Sequence, residues 1–183
     1  MLELSSQLES KHEASVAVAT KSINLKRREA RDRRLAAVHE AAHHVIARHR
    51  GMHEVESWIE RVGDPTVHET SWAGHCRWRN PSPGASRCDL MIGVAGMVGE
   101  NLSRAGNDPD RMDDIYDVLD DPNCMSESDW RNAGLDYGAG FTETQQHEIE
   151  SVIDLLCGPL RSELLAQARK LIIESRDIYT SNG

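Results

Sequence analysis

The sequence predicts a mainly α fold with one small antiparallel β-sheet. Three stretches carry apolar residues at helical spacing, and two short stretches alternate between Gly/Pro breaks. Aromatic residues make up only 4% of the chain, which suits an aliphatic, helical core. At 183 residues the chain is long enough for one domain with a real hydrophobic core and too short for two generous ones.

Residues 1–21 mix Ser, Glu and Lys with a short Val16-Ala17-Val18-Ala19 run and show no sustained periodicity. They are expected to be a flexible or accessory N-terminus, with a single domain over 22–183. From about Asn24 to Arg50, Leu35, Val38, Ala42, Val45 and Ile46 fall on one helical stripe. Gly51 stands where a left-handed cap is wanted, and Arg48, His49 and Arg50 suit the negative end of a helix. Val55 to Val62 and Ser71 to Arg79 read as strands, parted by Gly63-Asp64-Pro65 and closed by Pro81-Ser82-Pro83-Gly84.

A second helix is expected over about Arg87 to Arg104, with Leu90, Met91, Val94, Val98 and Leu102 inward and Ser86 and Asp89 as a cap pair. Gly93, Gly96 and Gly99 permit close packing there. Asp108-Pro109 opens a short acidic helix ending near Asp120, within a stretch of seven aspartates from Asp108 to Asp121. Ser126 or Ser128 starts another helical turn bearing Asp129. From Thr142 a long apolar stripe, Ile149, Val152, Ile153, Leu156, Leu160, Leu164, Ala168, Leu171 and Ile172, is interrupted at Gly158-Pro159, giving one kinked helix or two.

A formal net charge of −9 argues against general nucleic-acid binding, which depends on cations that neutralise phosphates. No apolar run reaches membrane-span length and the start lacks a secretory signal, so the expectation is a cytoplasmic protein without a membrane partner. Cys76, Cys88, Cys124 and Cys157 form no CxxC pair and read as buried reduced thiols.

The chemistry lies in the first helix, where His39-Glu40-Ala41-Ala42-His43 is an HExxH pattern. Histidines four apart project from one face about a turn apart, so both imidazoles can reach one metal ion. Glu40 sits beside them, able to take a proton from a water that the metal activates. A catalytic zinc needs a third protein ligand. His49 has the metzincin spacing, but Ile46 stands where that arrangement needs a turn-forming glycine, and on a continuing helix His49 lies about 9 Å further along. Glu100 and Asp129 both remain candidates, and spacing does not choose between them. Asp129 also completes Ser126-Glu127-Ser128-Asp129, a capping-box-like pattern, so it doubles as a helix-cap carboxylate. The cationic run Lys26-Arg27-Arg28, Arg31, Arg33 and Arg34 reads as a solvated helix face. His44 and His53 receive no role.

The segment HEAAHHVIA at His39 to Ala47 resembles the HEAGHAIVA segment in the peptidase domain of FtsH-type ATP-dependent zinc metalloproteases, with Ala42 in place of the glycine. Their GGRAAEE-like helix is similar to Ala95-Gly96-Met97-Val98-Gly99-Glu100, and their S-D-L-x-x-A segment to Ser128-Asp129-Trp130-Arg131-Asn132-Ala133. The three motifs come in the same order over about residues 30–175. The resemblance implies a zincin-like helical metallopeptidase domain holding Zn2+ on His39, His43 and Asp129, with Glu40 as the base. It also implies a polypeptide substrate, laid as an added strand along an edge such as His75 to Trp78. No GxxxxGKS or GxxxxGKT occurs in the sequence, so the expectation is a stand-alone peptidase domain acting on unfolded or flexible polypeptide. A separate ATPase partner and a homo-oligomer are both compatible with it. The rival expectation is a non-catalytic, zinc-stabilised peptide-binding or regulatory module that retains the peptidase fold.

Overall fold

The computed structural model describes residues 2–62, 72–82, 88–106, 118, 121 and 123–180, with side chains from residue 22 to residue 175. In chain order the elements are α1 (Leu2–His49), β1 (His53–Arg61), β2 (Trp72–Arg79), α2 (Leu90–Arg104), α3 (Glu127–Ala133), α4 (Glu143–Cys157) and α5 (Arg161–Thr180). The fold is thus mainly helical with a two-stranded antiparallel sheet. Among the described residues no helix is long and apolar enough to cross a membrane.

α1 starts at Leu2 rather than near Asn24. Residues 2–21 contain no glycine or proline and hold three each of Ala, Leu and Glu, so propensity carries a helix where no apolar stripe marks one. Its far end stops where the sequence suggests. Gly51 has φ 76°, and the N–H of Gly51 and of Met52 donate to the carbonyls of Arg48 and Ala47. Between Ala37 and Ala47 the helix is buried on nearly every side, because α2 packs on one flank and β1, β2 and α5 on the others. Four alanines in that span, Ala37, Ala41, Ala42 and Ala47, let these neighbours come close.

β1 and β2 pair with Ser57 opposite Cys76, Ile59 opposite Gly74 and Arg61 opposite Trp72, after an irregularity between His53 and Glu56. The inward face carries Ile59 and Trp72 into the core, and Ser57 hydrogen-bonds His44 Nδ1 at 3.1 Å. On the other face Trp58 stacks on His75 with ring centroids 5.0 Å apart.

α2 is the central helix, buried without a break from Ile92 to Gly99, and it packs on α1, α3 and α4. Asp89 caps it by accepting from the Ile92 N–H. The expected second cap residue Ser86 lies outside the described residues, as do Gly63-Asp64-Pro65, Pro83-Gly84 and most of the acidic helix expected from Asp108 to Asp120. Thr142 and Gln145 form a reciprocal capping box at the start of α4. Gly158-Pro159 separates α4 from α5, so the last stripe belongs to two helices. The cysteines are less buried than the sequence suggests: Cys88 is exposed and Cys76, Cys124 and Cys157 are half-buried, and none of the four is in a disulfide.

Candidate metal centre

α1 presents His39 and His43 from successive turns, and their Nε2 atoms lie 3.0 Å apart. Each ring is fixed from behind. His43 Nδ1 is 2.6 Å from the carbonyl oxygen of Ile92 on α2, so Nδ1 carries the proton and donates it. His39 Nδ1 is 2.9 Å from Glu100 Oε1, also on α2, and a carboxylate likewise takes the N–H. Both Nε2 atoms therefore face each other across the same point.

Asp129 closes the triangle from α3. Its Oδ2 is 3.3 Å from His39 Nε2 and its Oδ1 is 3.2 Å from His43 Nε2. A tetrahedral ion with bonds of about 2 Å sets its ligands roughly 3.3 Å apart; with one atom taken from each residue, the three ligand atoms here lie within 4.8 Å of one another. The group His39, His43 and Asp129 could hold a metal ion. His49, by contrast, ends α1 as an exposed residue, and Glu100 stands behind His39 instead of beside the shared point.

Two glycines make the room. A Cβ on Gly96 of α2 would overlap the Nε2 atoms of both histidines, and a Cβ on Gly74 of β2 would overlap the Glu40 carboxylate. Close approach here requires glycine on each side of the site. Gly99 meets the Ala42 methyl in the same way, so the alanine that departs from the FtsH-like motif is accommodated by the helix opposite.

α3 is only seven residues long and needs anchors. Ser126 caps it, and the Ser126 hydroxyl also donates to Asp129 Oδ2 at 2.8 Å. The cap reading and the ligand position of Asp129 thus coexist in one carboxylate. Trp130, 1% exposed, stacks on Phe141 at 5.2 Å. The Asp89 N–H donates to the Asn132 carbonyl, which ties α3 to the start of α2. Gly134 ends the helix with φ 75°.

The electrostatics reflect a crowded anionic pocket. Burial alone would lower the His39 pKa, but hydrogen bonds to Asp129 and Glu100 and the charges of Asp129 and Glu40 outweigh it and raise it to about 10. Burial works against ionised Asp129, yet its contacts with both histidines hold it well below the usual carboxylate range. The same contest, settled by His39, lowers Glu100. Glu40, 6% exposed with Oε1 4.0 Å from His39 Nε2, is raised, chiefly by burial and against the pull of the two histidines. Two imidazole Nε2 atoms and a buried carboxylate gathered at one point could hold a cation, whose binding would displace the His39 proton.

A hollow of about 610 Å³ opens beside the site, bordered by His39, Glu40, Glu100 and Asp129 and by Trp72 and Gly74 of β2. A smaller one of about 190 Å³ lies on the other side of Glu40, along Gly74, Cys76 and Trp78. β2 runs along both, and among the described residues it pairs with a strand on one side only. Arg28, Arg31 and Arg104 line the larger hollow. Sequence reasoning placed the α1 arginines on a solvated face and gave Gly96 and Gly74 no part in the site. The three-residue spacing of Gly93, Gly96 and Gly99 was the available signal for Gly96; Gly74 had none, since its partner is fixed only by the path of the sheet. A scan against protein-family models found no match for the chain, and no curated protein and no solved structure matched it.

Proposed function

We propose that the chain is a zincin-like, zinc-dependent metalloendopeptidase that hydrolyses unfolded or flexible polypeptides. One observation carries this reading: the two HExxH imidazoles and Asp129 converge on one point, with the buried Glu40 carboxylate alongside and a cleft over them. Two neutral imidazoles and one carboxylate are a donor set of catalytic zinc, which keeps its fourth position for water or substrate. When bound, zinc polarises the scissile carbonyl and brings the pKa of the attacking water toward neutrality.

The chain's own residues do the rest. Glu40 takes the proton from the attacking water and returns it to the departing amine, a role its carboxylate, 4.0 Å from His39 Nε2, is placed to fill. Glu100 and the Ile92 carbonyl keep the protons of His39 and His43 on Nδ1, so that Nε2 is available to the ion. The outer edge of β2 offers main-chain groups to an extended polypeptide, which a folded substrate cannot supply. The order of the three FtsH-like motifs supports the same reading, and a separate ATPase partner would widen the range of substrates by unfolding them. Because Gly99 makes room for the Ala42 methyl, the departure at Ala42 does not favour the non-catalytic alternative.

The test is Glu40→Gln in zinc-loaded protein, assayed on casein as an unfolded substrate. Cleavage should fall by about 10²–10⁴-fold while one zinc per chain is retained. A variant that cuts at the wild-type rate overturns the mechanism. A wild-type, zinc-saturated protein that binds casein peptides and never cuts them establishes the binding-module alternative instead.

A further inference from the structure

The two halves of the cleft differ in charge. The cationic run of α1 divides by face: Arg33 turns inward, donates to Ser175 Oγ and the Ile172 carbonyl, and lies 4.8 Å over the Trp72 ring. Arg28 and Arg31, three residues apart, share another face and border the larger hollow, where Arg104 of α2 joins them. Two carboxylates outside the metal triangle and Glu40 lie in the same hollow, Asp32 and Glu100. Arg31 Nε is 3.9 Å from Asp32, and Arg104 Nη2 is 2.8 Å from Glu100, whose other oxygen faces His39.

A chain of net charge −9 has gathered these three cations at the mouth of its cleft. The side chains of Arg31 and Arg104 are 65% and 61% exposed, so each guanidinium can turn its remaining donors to a ligand. Among the described residues the smaller hollow has no arginine or lysine in its lining; Trp58, His75, Cys76 and Trp78 form its wall. β2 runs from Trp72, on the arginine side, to Trp78, on the aromatic side. A peptide laid antiparallel to β2, the pairing that β1 already uses, runs the other way, so its C-terminal part passes the arginines.

We infer that this cleft selects polypeptides carrying a carboxylate on the C-terminal side of the scissile bond, recognised by Arg28, Arg31 and Arg104. The carboxylate comes from an Asp or Glu side chain or from the free C-terminus of the peptide. The inference rests on the peptidase reading for the position of the bond, though not for carboxylate recognition itself. Arginine is suited to the task because its planar fork meets a carboxylate in two parallel hydrogen bonds.

The experiment uses matched peptides that differ only by Glu or Gln, placed before or after the cleaved bond, and by a free or amidated C-terminus. Cleavage by the zinc-loaded protein and binding to Glu40→Gln are measured on the same set. Glu after the bond should be preferred over Gln by about tenfold in kcat/KM at low salt, with the gap narrowing as salt is added. The Arg28→Gln/Arg31→Gln protein should bring that ratio near one, and its thermal unfolding midpoint, compared with wild type, shows whether the fold is kept. Preference for Glu over Gln identifies the side chain as the source; preference for free acid over amide identifies the C-terminus. Cleavage at equal rates for all peptides, preference for Glu before the bond, or a preference that survives the double substitution overturns the inference and leaves the peptidase reading standing. Selective binding of the carboxylate peptides without any cleavage overturns the peptidase reading and keeps the carboxylate site.

Discussion

The two walls of the candidate metal centre hold their side chains in different ways. On α1, His39 and His43 sit in a long helix whose Ala37–Ala47 span is packed on nearly all sides, so the backbone is immobilised by its neighbours and the rings by Glu100 and the Ile92 carbonyl. On α3, Asp129 sits in a helix of seven residues, too short to be stable alone, and relies on the Ser126 cap, the buried Trp130 and a single main-chain bond to Asn132. The first wall is rigid through surroundings and the second through a few specific anchors. Changes to the first should therefore act on metal binding with little loss of fold, and changes to the second should move stability and metal binding together.

Gly96→Ala is the sharpest way to break the α1 side. Its methyl would overlap Nε2 of both histidines and Cε1 of His39, so the imidazoles must move from their present positions. Zinc binding at micromolar metal should be lost, with overpacking costing the metal-free protein about 1–3 kcal/mol. Stoichiometric zinc with wild-type affinity in that variant, read by competition with a chromogenic chelator, would show that the ion does not sit between these rings. Trp130→Ala tests the α3 side. It removes the side chain that seats the helix, so chemical denaturation should show a loss of about 3–5 kcal/mol. Zinc affinity should weaken in the same variant although no ligand has changed; an unchanged affinity would mean that Asp129 is positioned without Trp130.

The contrast also explains what the sequence makes legible. The HExxH turn is a local pattern: four residues of helix set the spacing of His39 and His43, so periodicity is enough to foresee their shared face. The two strands and the break at Gly158-Pro159 are local as well. Asp129 is not, since its distance from the histidines depends on how α2 stacks between α1 and α3, and spacing alone leaves it level with Glu100. The structure separates them by depth: Asp129 meets both Nε2 atoms, whereas Glu100 meets the back of one ring. The arginines of α1 are partly legible: Arg27, Arg31 and Arg34 are exposed, as a solvated face predicts, while Arg28 and Arg33 are half-buried. Arg28 and Arg31 look solvated on an isolated helix, and become part of a cleft only when β2 and α2 flank them. Residues 2–21 fail differently, because a helix without an apolar stripe has only propensity to announce it.

The smallest effect comes from making the two rings of α1 alike. His43 is backed by a neutral main-chain carbonyl, which no side-chain substitution removes, while His39 is backed by the charged Glu100. Glu100→Gln keeps the size and an oxygen that can accept from Nδ1, and takes away the charge that makes the imidazole a better donor to a cation. Zinc affinity should fall by about tenfold, the mild end of the range for such supporting groups, with the fold intact. Two results distinguish the roles of Glu100. An unchanged affinity means that the hydrogen bond alone orients His39, as the carbonyl does for His43. A complete loss means that Glu100 binds the ion itself, and the place of Asp129 in the triangle would have to be given up.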